Sequence, residues 1–175
     1  SLSDKLESLC LIIRPNYIPI SKDINSPKGV NLLPKYKFDD CMIDASVEKN
    51  GIEFIPSVEG GVIISGNGNP TSGTTFYIYK QDKPIILEPG TYELQGAEAH
   101  PSVSISGTST KWGISLKDIE GNVLYDVNGK RVWDRGKKCT FNVDSTKRVY
   151  VYIYISADLS ITKEYKFNPS LIRIS

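Results

Sequence analysis

Two tyrosine ladders hold the side chains whose type and spacing could do chemistry. Tyr150, Tyr152 and Tyr154 alternate with Val149, Val151, Ile153 and Ile155, and Tyr77 and Tyr79 alternate in the run from Thr74 to Tyr79. Trp133 follows a hairpin turn beside Asp134 and Arg135 and is expected to be exposed. Flat aromatic faces bury the apolar C–H side of a sugar ring, while neighbouring Asn, Asp and Arg groups hydrogen-bond its hydroxyls. The candidate carbohydrate-binding set is therefore Trp133, Tyr150, Tyr152, Tyr154, Tyr77, Tyr79, Asp134 and Arg135. The same tyrosines could instead pack under a loop or against another subunit, and the sequence leaves both readings open. Trp112 shares a face with Ile114 and Leu116 and reads as core.

Catalysis finds little support. His100, the single histidine, lies in a loop without a partner nucleophile, and no strand–turn–helix elbow surrounds a serine. Asp39, Asp40, Asp44 and Glu48 cluster, but as a solvated loop rather than two carboxyls facing a cleft. The Gly66-Asn67-Gly68-Asn69 loop lacks the Lys-Ser/Thr of a phosphate cradle and the spaced acids of a calcium loop. The chain reads as a non-enzyme with no metal site of its own.

Composition narrows the partners. The 175 residues carry 21 basic and 20 acidic side chains without a long run of one sign. A nucleic-acid binder would show a basic stripe, so none is expected as a partner. No apolar run approaches the roughly 20 residues of a membrane helix, so no membrane insertion is expected either. Cys10, Cys41 and Cys139 are far apart and odd in number, which predicts free thiols. Because the numbering opens on Ser1 rather than Met, the chain is expected to be a trimmed form or fragment of a longer one.

The elements that must position these residues are strands. Alternation with period two, β-branched and aromatic enrichment, and regular turn signals predict roughly ten to twelve short strands. Residues 1–28 form a short helix or arm with a linker: Leu2, Leu6, Leu9 and Ile13 recur at helical spacing before Pro15 and Pro19 end it. Residues 29–175 form the β domain. Ser57-Val58-Glu59-Gly60 predicts a hairpin between Ile52–Ile55 and Gly61–Ser65, and Asn128-Gly129 predicts a type I′ hairpin. The fold class is all-β: a two-sheet antiparallel β-sandwich of jelly-roll type, with the N-terminal helix or arm attached.

The order of motifs adds a resemblance. Asn31-Leu32-Leu33-Pro34, Gly51-Ile52-Glu53-Phe54, Ile63-Ile64-Ser65-Gly66-Asn67-Gly68 and Thr75-Phe76-Tyr77-Ile78-Tyr79 come first. Leu87-Glu88-Pro89-Gly90-Thr91-Tyr92-Glu93-Leu94 and Phe167-Asn168-Pro169-Ser170-Leu171-Ile172-Arg173 follow. This series resembles a β-sandwich module of phage and prophage tail, baseplate and fibre proteins, itself similar to jelly-roll carbohydrate-binding domains. Asn168 and Ser170 stand where that pattern usually has Lys and Met. The resemblance implies a virion or extracellular location and a homo-oligomer. It also implies partners that are either cell-surface glycan or other virion proteins. It leaves room for a structural calcium ion and implies no other cofactor.

Overall fold

The computed structural model describes residues 26–33, 46–57, 59–78 and 82–175. Its strands in chain order begin with β1 (Val47–Lys49), β2 (Ile52–Pro56), β3 (Val62–Gly66), β4 (Thr74–Tyr77), β5 (Ile85–Leu87) and β6 (Gly90–Gln95). They continue with β7 (Trp112–Asp118), β8 (Trp133–Asp134), β9 (Cys139–Val143), β10 (Lys147–Ile155), β11 (Tyr165–Phe167) and β12 (Ser170–Arg173). Every ladder is antiparallel, and no helix occurs among the described residues.

These ladders make two layers. In one, β10 is central, with β4 and β5 along one edge and β7 then β8 on the other. The second joins the ladder β1-β2-β3-β11 to the ladder β12-β6-β9. The join is the chain itself, because only Asn168-Pro169 separates β11 from β12. Aromatic pairs cross between the layers: Phe54 stacks on Phe76 at 4.9 Å, and Trp112 meets Tyr165 at 4.8 Å and Phe167 at 5.3 Å. The all-β antiparallel sandwich expected from the sequence is the fold observed, with three sheets rather than two because the second layer is split into two ladders.

The core explains why β10 is the longest strand. Val149, Val151, Ile153 and Ile155 are all fully buried on one face, each contributing about 1.5–3 kcal/mol relative to exposure. The expected β2–β3 hairpin is present, pairing Phe54 with Ile64, and Ser57 N donates to Gly61 O at 2.9 Å. The first described residues are stitched to the sandwich. Asn31 Oδ1 accepts from Leu33 N and Leu171 N, and the buried Ser26 hydroxyl bridges Ile86 O and Glu88 N. The predicted helix lies outside the described residues, as do Cys10 and Cys41.

Two expectations change at turns. Asn128-Gly129 does not form a type I′ hairpin, since Gly129 has φ +70° but Asn128 is not in the left-handed region. Asp126 dictates this: its carboxylate accepts from Asn128 N and Lys130 N, holding a turn in which only the glycine needs positive φ. The type I′ geometry occurs instead at Asn50-Gly51, with φ +55° and +81°, linking β1 to β2. Residues 103–105 form no strand, and Val123 and Tyr125 make only isolated bridges, to Lys117 and Arg131.

Candidate functional site

The outward face of the β10 layer collects the aromatics in register. Tyr152 pairs with Tyr77 on β4 and with Ser115 on β7, and Ser115 pairs with Trp133 on β8. Directly opposed residues share a face, so Tyr77, Tyr152 and Trp133 stand in one row. Tyr150 and Tyr154 flank it, since successive side chains alternate. Ring centroids lie 6.1 Å apart for Tyr77–Tyr152 and 6.3 Å for Tyr77–Tyr150. Trp133 meets Tyr152 and Tyr154 edge-on, each at 6.2 Å. Small residues make room: Gly113 lies opposite Tyr154, and a Cβ there would sit 1.9 Å from Asp134 O.

Two cations sit among the rings. Arg131 lies 5.2 Å over Trp133 and donates through Nη2 to the Tyr152 hydroxyl at 2.7 Å. Lys117 Nζ is 5.1 Å from the Tyr77 ring and 5.7 Å from Tyr152. Arg131, Trp133, Lys117 and Tyr152, together with Thr75, Thr110 and Tyr154, line a cleft of about 280 Å³. Tyr77, Tyr150 and Tyr154 remain partly exposed, and no third layer of strands covers them among the described residues. The two tyrosine runs therefore meet on one face.

Several expected site residues are placed differently. Trp133 is buried, at 3% exposure, rather than exposed. Its indole N–H is anchored to Trp112 O at 2.7 Å, and rings and guanidinium surround it. Tyr152 is likewise buried at 4% and forms the floor of the cleft. Asp134 is not a rim group. Paired with Ile114, it turns inward, is 1% exposed, and accepts from Ala97 N and Gly136 N. Burial pushes its carboxyl above the usual range, while those backbone N–H groups pull the other way. Arg135 braces a loop by donating to Ser109 O and Gly107 O, and lines the recess next to the aromatic cleft rather than the cleft itself. Tyr79 lies outside the described residues.

Lys117, Arg131, Thr75 and Thr110 join the site without having been singled out from sequence. The signal for two of them was present: Lys117 continues the outward alternation of Gly113 and Ser115, and Arg131 is two residues before Trp133. Tyr125, 59% exposed and bridged opposite Arg131, stands at the edge of the same region.

The remaining candidate groups are structural. Trp112 is fully buried and donates to Glu98 O. His100 is buried against Trp112 and Tyr165, with its ring nitrogens bonded to Ser160 O and Ser102 N. Cys139 is a half-buried free thiol whose pKa burial pushes up. No group of three or more His, Cys, Asp or Glu that could hold a metal ion occurs among the described residues, so the calcium expectation gains no site here. Another recess, about 480 Å³ near Asn31, Gln95 and Asn168, has neither aromatic ring nor cation among its described lining residues.

No protein-family model matches the chain, and no curated protein matches it. A solved structure similar to it is the CBM22-1 xylan-binding domain from Paenibacillus barcinonensis Xyn10C, at 9% identity and a TM-score of 0.40. The similarity covers 86% of this chain and 98% of that one. Similarity of that degree bears on neither family nor ligand.

Proposed function

We propose that this chain is a non-catalytic carbohydrate-binding module whose ligand lies along the outward face of β10. The observation that carries this reading is the cleft itself. Polar-tipped rings of Tyr152, Tyr154 and Trp133 line it and Tyr77 adjoins Tyr152, with Lys117, Arg131, Thr75 and Thr110 supplying hydrogen-bond donors and acceptors around them. A sugar ring presents an apolar C–H face and a rim of hydroxyls, which this combination matches. Tyr77 and Tyr154 offer exposed edges, and buried Trp133 and Tyr152 hold them rigid. Tyr, Trp and Arg are also the residues enriched at protein interfaces, so sugar binding rather than residue type separates the two readings. Of the exposed large apolar groups, Val30, Val47 and Ile174 lie in other segments, while Tyr125 is bridged opposite Arg131 and Ile105 and Val127 line the recess beside Trp133.

Placement in a virion, as a homo-oligomer meeting a cell-surface glycan, is part of the same proposal and rests on the motif order. Several weak sites on one assembly raise avidity without new contacts. The test is titration of the full chain with a panel of cell-wall and plant polysaccharides, repeated with Tyr154→Ala and Tyr77→Ala. Binding that both substitutions abolish supports the reading. Binding that both leave intact contradicts it.

A further inference from the structure

We propose that the saccharide taken by this cleft is anionic, with a carboxylate or phosphate held by Arg131 and Lys117 against the aromatic floor. This rests on the glycan reading and names the class of glycan.

The chain as a whole is nearly neutral, at +1, so a cationic face does not simply follow from composition. Yet the described walls of the aromatic cleft contain Lys117 and Arg131 and no carboxylate. An adjoining recess of about 330 Å³ shares Arg131 and Trp133 with it. That recess adds Lys130, Arg135, Lys137 and Lys138 against a single described acid, Asp126. The Asp126 carboxylate is already engaged by the N–H groups of Asn128 and Lys130. Lys138 pairs with Glu93 at 2.5 Å, which leaves the excess of positive charge in place. Charge of one sign over low-dielectric walls focuses the field and concentrates counter-ions.

Arg131 is the pivot. Its guanidinium lies over Trp133 and bonds the Tyr152 hydroxyl, but its Nε is buried with no hydrogen-bond partner. Buried donors are ordinarily satisfied, and a guanidinium matches the paired oxygens of a carboxylate or phosphate. Lys117, held over two tyrosine rings, is placed to share that charge.

Matched pairs of probes separate charge from ring recognition. Oligogalacturonate and its methyl ester share a sugar but differ in the carboxylate charge and a methyl group. Glucose 1-phosphate and methyl α-glucoside differ likewise in having phosphate or methyl on the same oxygen, so salt dependence and the variants below isolate the charge. The expected result, by calorimetry on the full chain, is that the charged member of at least one pair binds on the order of tenfold tighter. That advantage shrinks as salt rises from about 0.05 to about 0.3 M. Arg131→Gln and Lys117→Gln each lower the charged-over-neutral preference by about threefold or more, with circular dichroism verifying the fold. Lys166→Gln, whose partner is Glu59, leaves it unchanged. Equal affinity within both pairs, or a preference that survives both glutamine variants, overturns the proposal. If Tyr154→Ala still abolishes binding in that case, the glycan reading stands without the anionic one. Absence of binding to all four probes overturns the proposal outright.

Discussion

The two faces of β10 differ in what lies over them. Val149, Val151, Ile153 and Ile155 sit under the second layer and are fully buried. Tyr150, Tyr152 and Tyr154 leave the opposite face, where only one of the three is fully covered. The aliphatic face lies in the core among buried apolar and aromatic side chains such as Phe54, Tyr165 and Phe167. The tyrosine face is held by lateral contacts within its own sheet: Tyr77 from β4, Trp133 from β8, and the cations Lys117 and Arg131. Burial on one side stabilises the fold, and order on the other side presents polar-tipped rings to solvent. One strand serves as both wall and platform, because alternation lets the two faces be specified separately.

That contrast is open to direct attack. The largest effect belongs to the buried face: Ile153→Ala should destabilise the chain by about 2–5 kcal/mol through lost transfer energy and a cavity, read by urea denaturation. Gly113→Ala should come next, at about 1–3 kcal/mol, because Gly113 has φ +125° and its new Cβ would meet Asp134 O. It should also disturb Trp133 fluorescence, since it strikes where β8 crosses β7. Tyr152→Phe removes one partner of Arg131 and should cost about 1–3 kcal/mol, with glycan affinity falling as the guanidinium loosens. Tyr154→Ala should cost only about 0.5–1.5 kcal/mol yet abolish glycan binding. If it instead destabilised as much as Ile153→Ala, the tyrosine face would be a packed layer.

The smallest effect is one of pH. Burial raises the Glu98 carboxyl, but Lys163 and the Lys166 backbone N–H overcome that and hold it below the ordinary range. A lowered folded-state pKa contributes stability above the unfolded value, about 4.3, and that stability is lost as pH falls through the folded value. Glu98→Gln should therefore flatten the fall in melting temperature below about pH 5. Glu98 O also accepts from Trp112 on the core side, so acidification loosens the buried face.

Much of the fold was legible because period-two alternation is a local signal. Val149–Ile155 announced the strand, and the core face followed from residue type. What covers a face is not local, and there the sequence reading faltered. Trp133 reads as exposed beside Asp134 and Arg135, but its register opposite Ser115 folds it under Arg131. Asp134 reads as a rim acid, yet pairing with Ile114 turns it inward onto backbone donors. Turn chemistry shows the same limit. Asn-Gly occurs at 50–51 and 128–129, and only the first adopts the type I′ form. The second is overruled by Asp126, two residues upstream. Arg131 was not assigned to the site because a cation gains meaning here only from the rings that register brings beside it.

The chain has two tryptophans, one on each side of this sheet: Trp112 in the core, Trp133 beneath the platform. Titrating glycan into uniformly ¹⁵N-labelled protein and following the two indole N–H resonances, assigned with Trp133→Phe, tests the central claim most directly. Binding at the tyrosine face predicts that the Trp133 resonance shifts saturably while Trp112 stays fixed. A bound glycan that leaves Trp133 unmoved, or moves Trp112 alone, would contradict it.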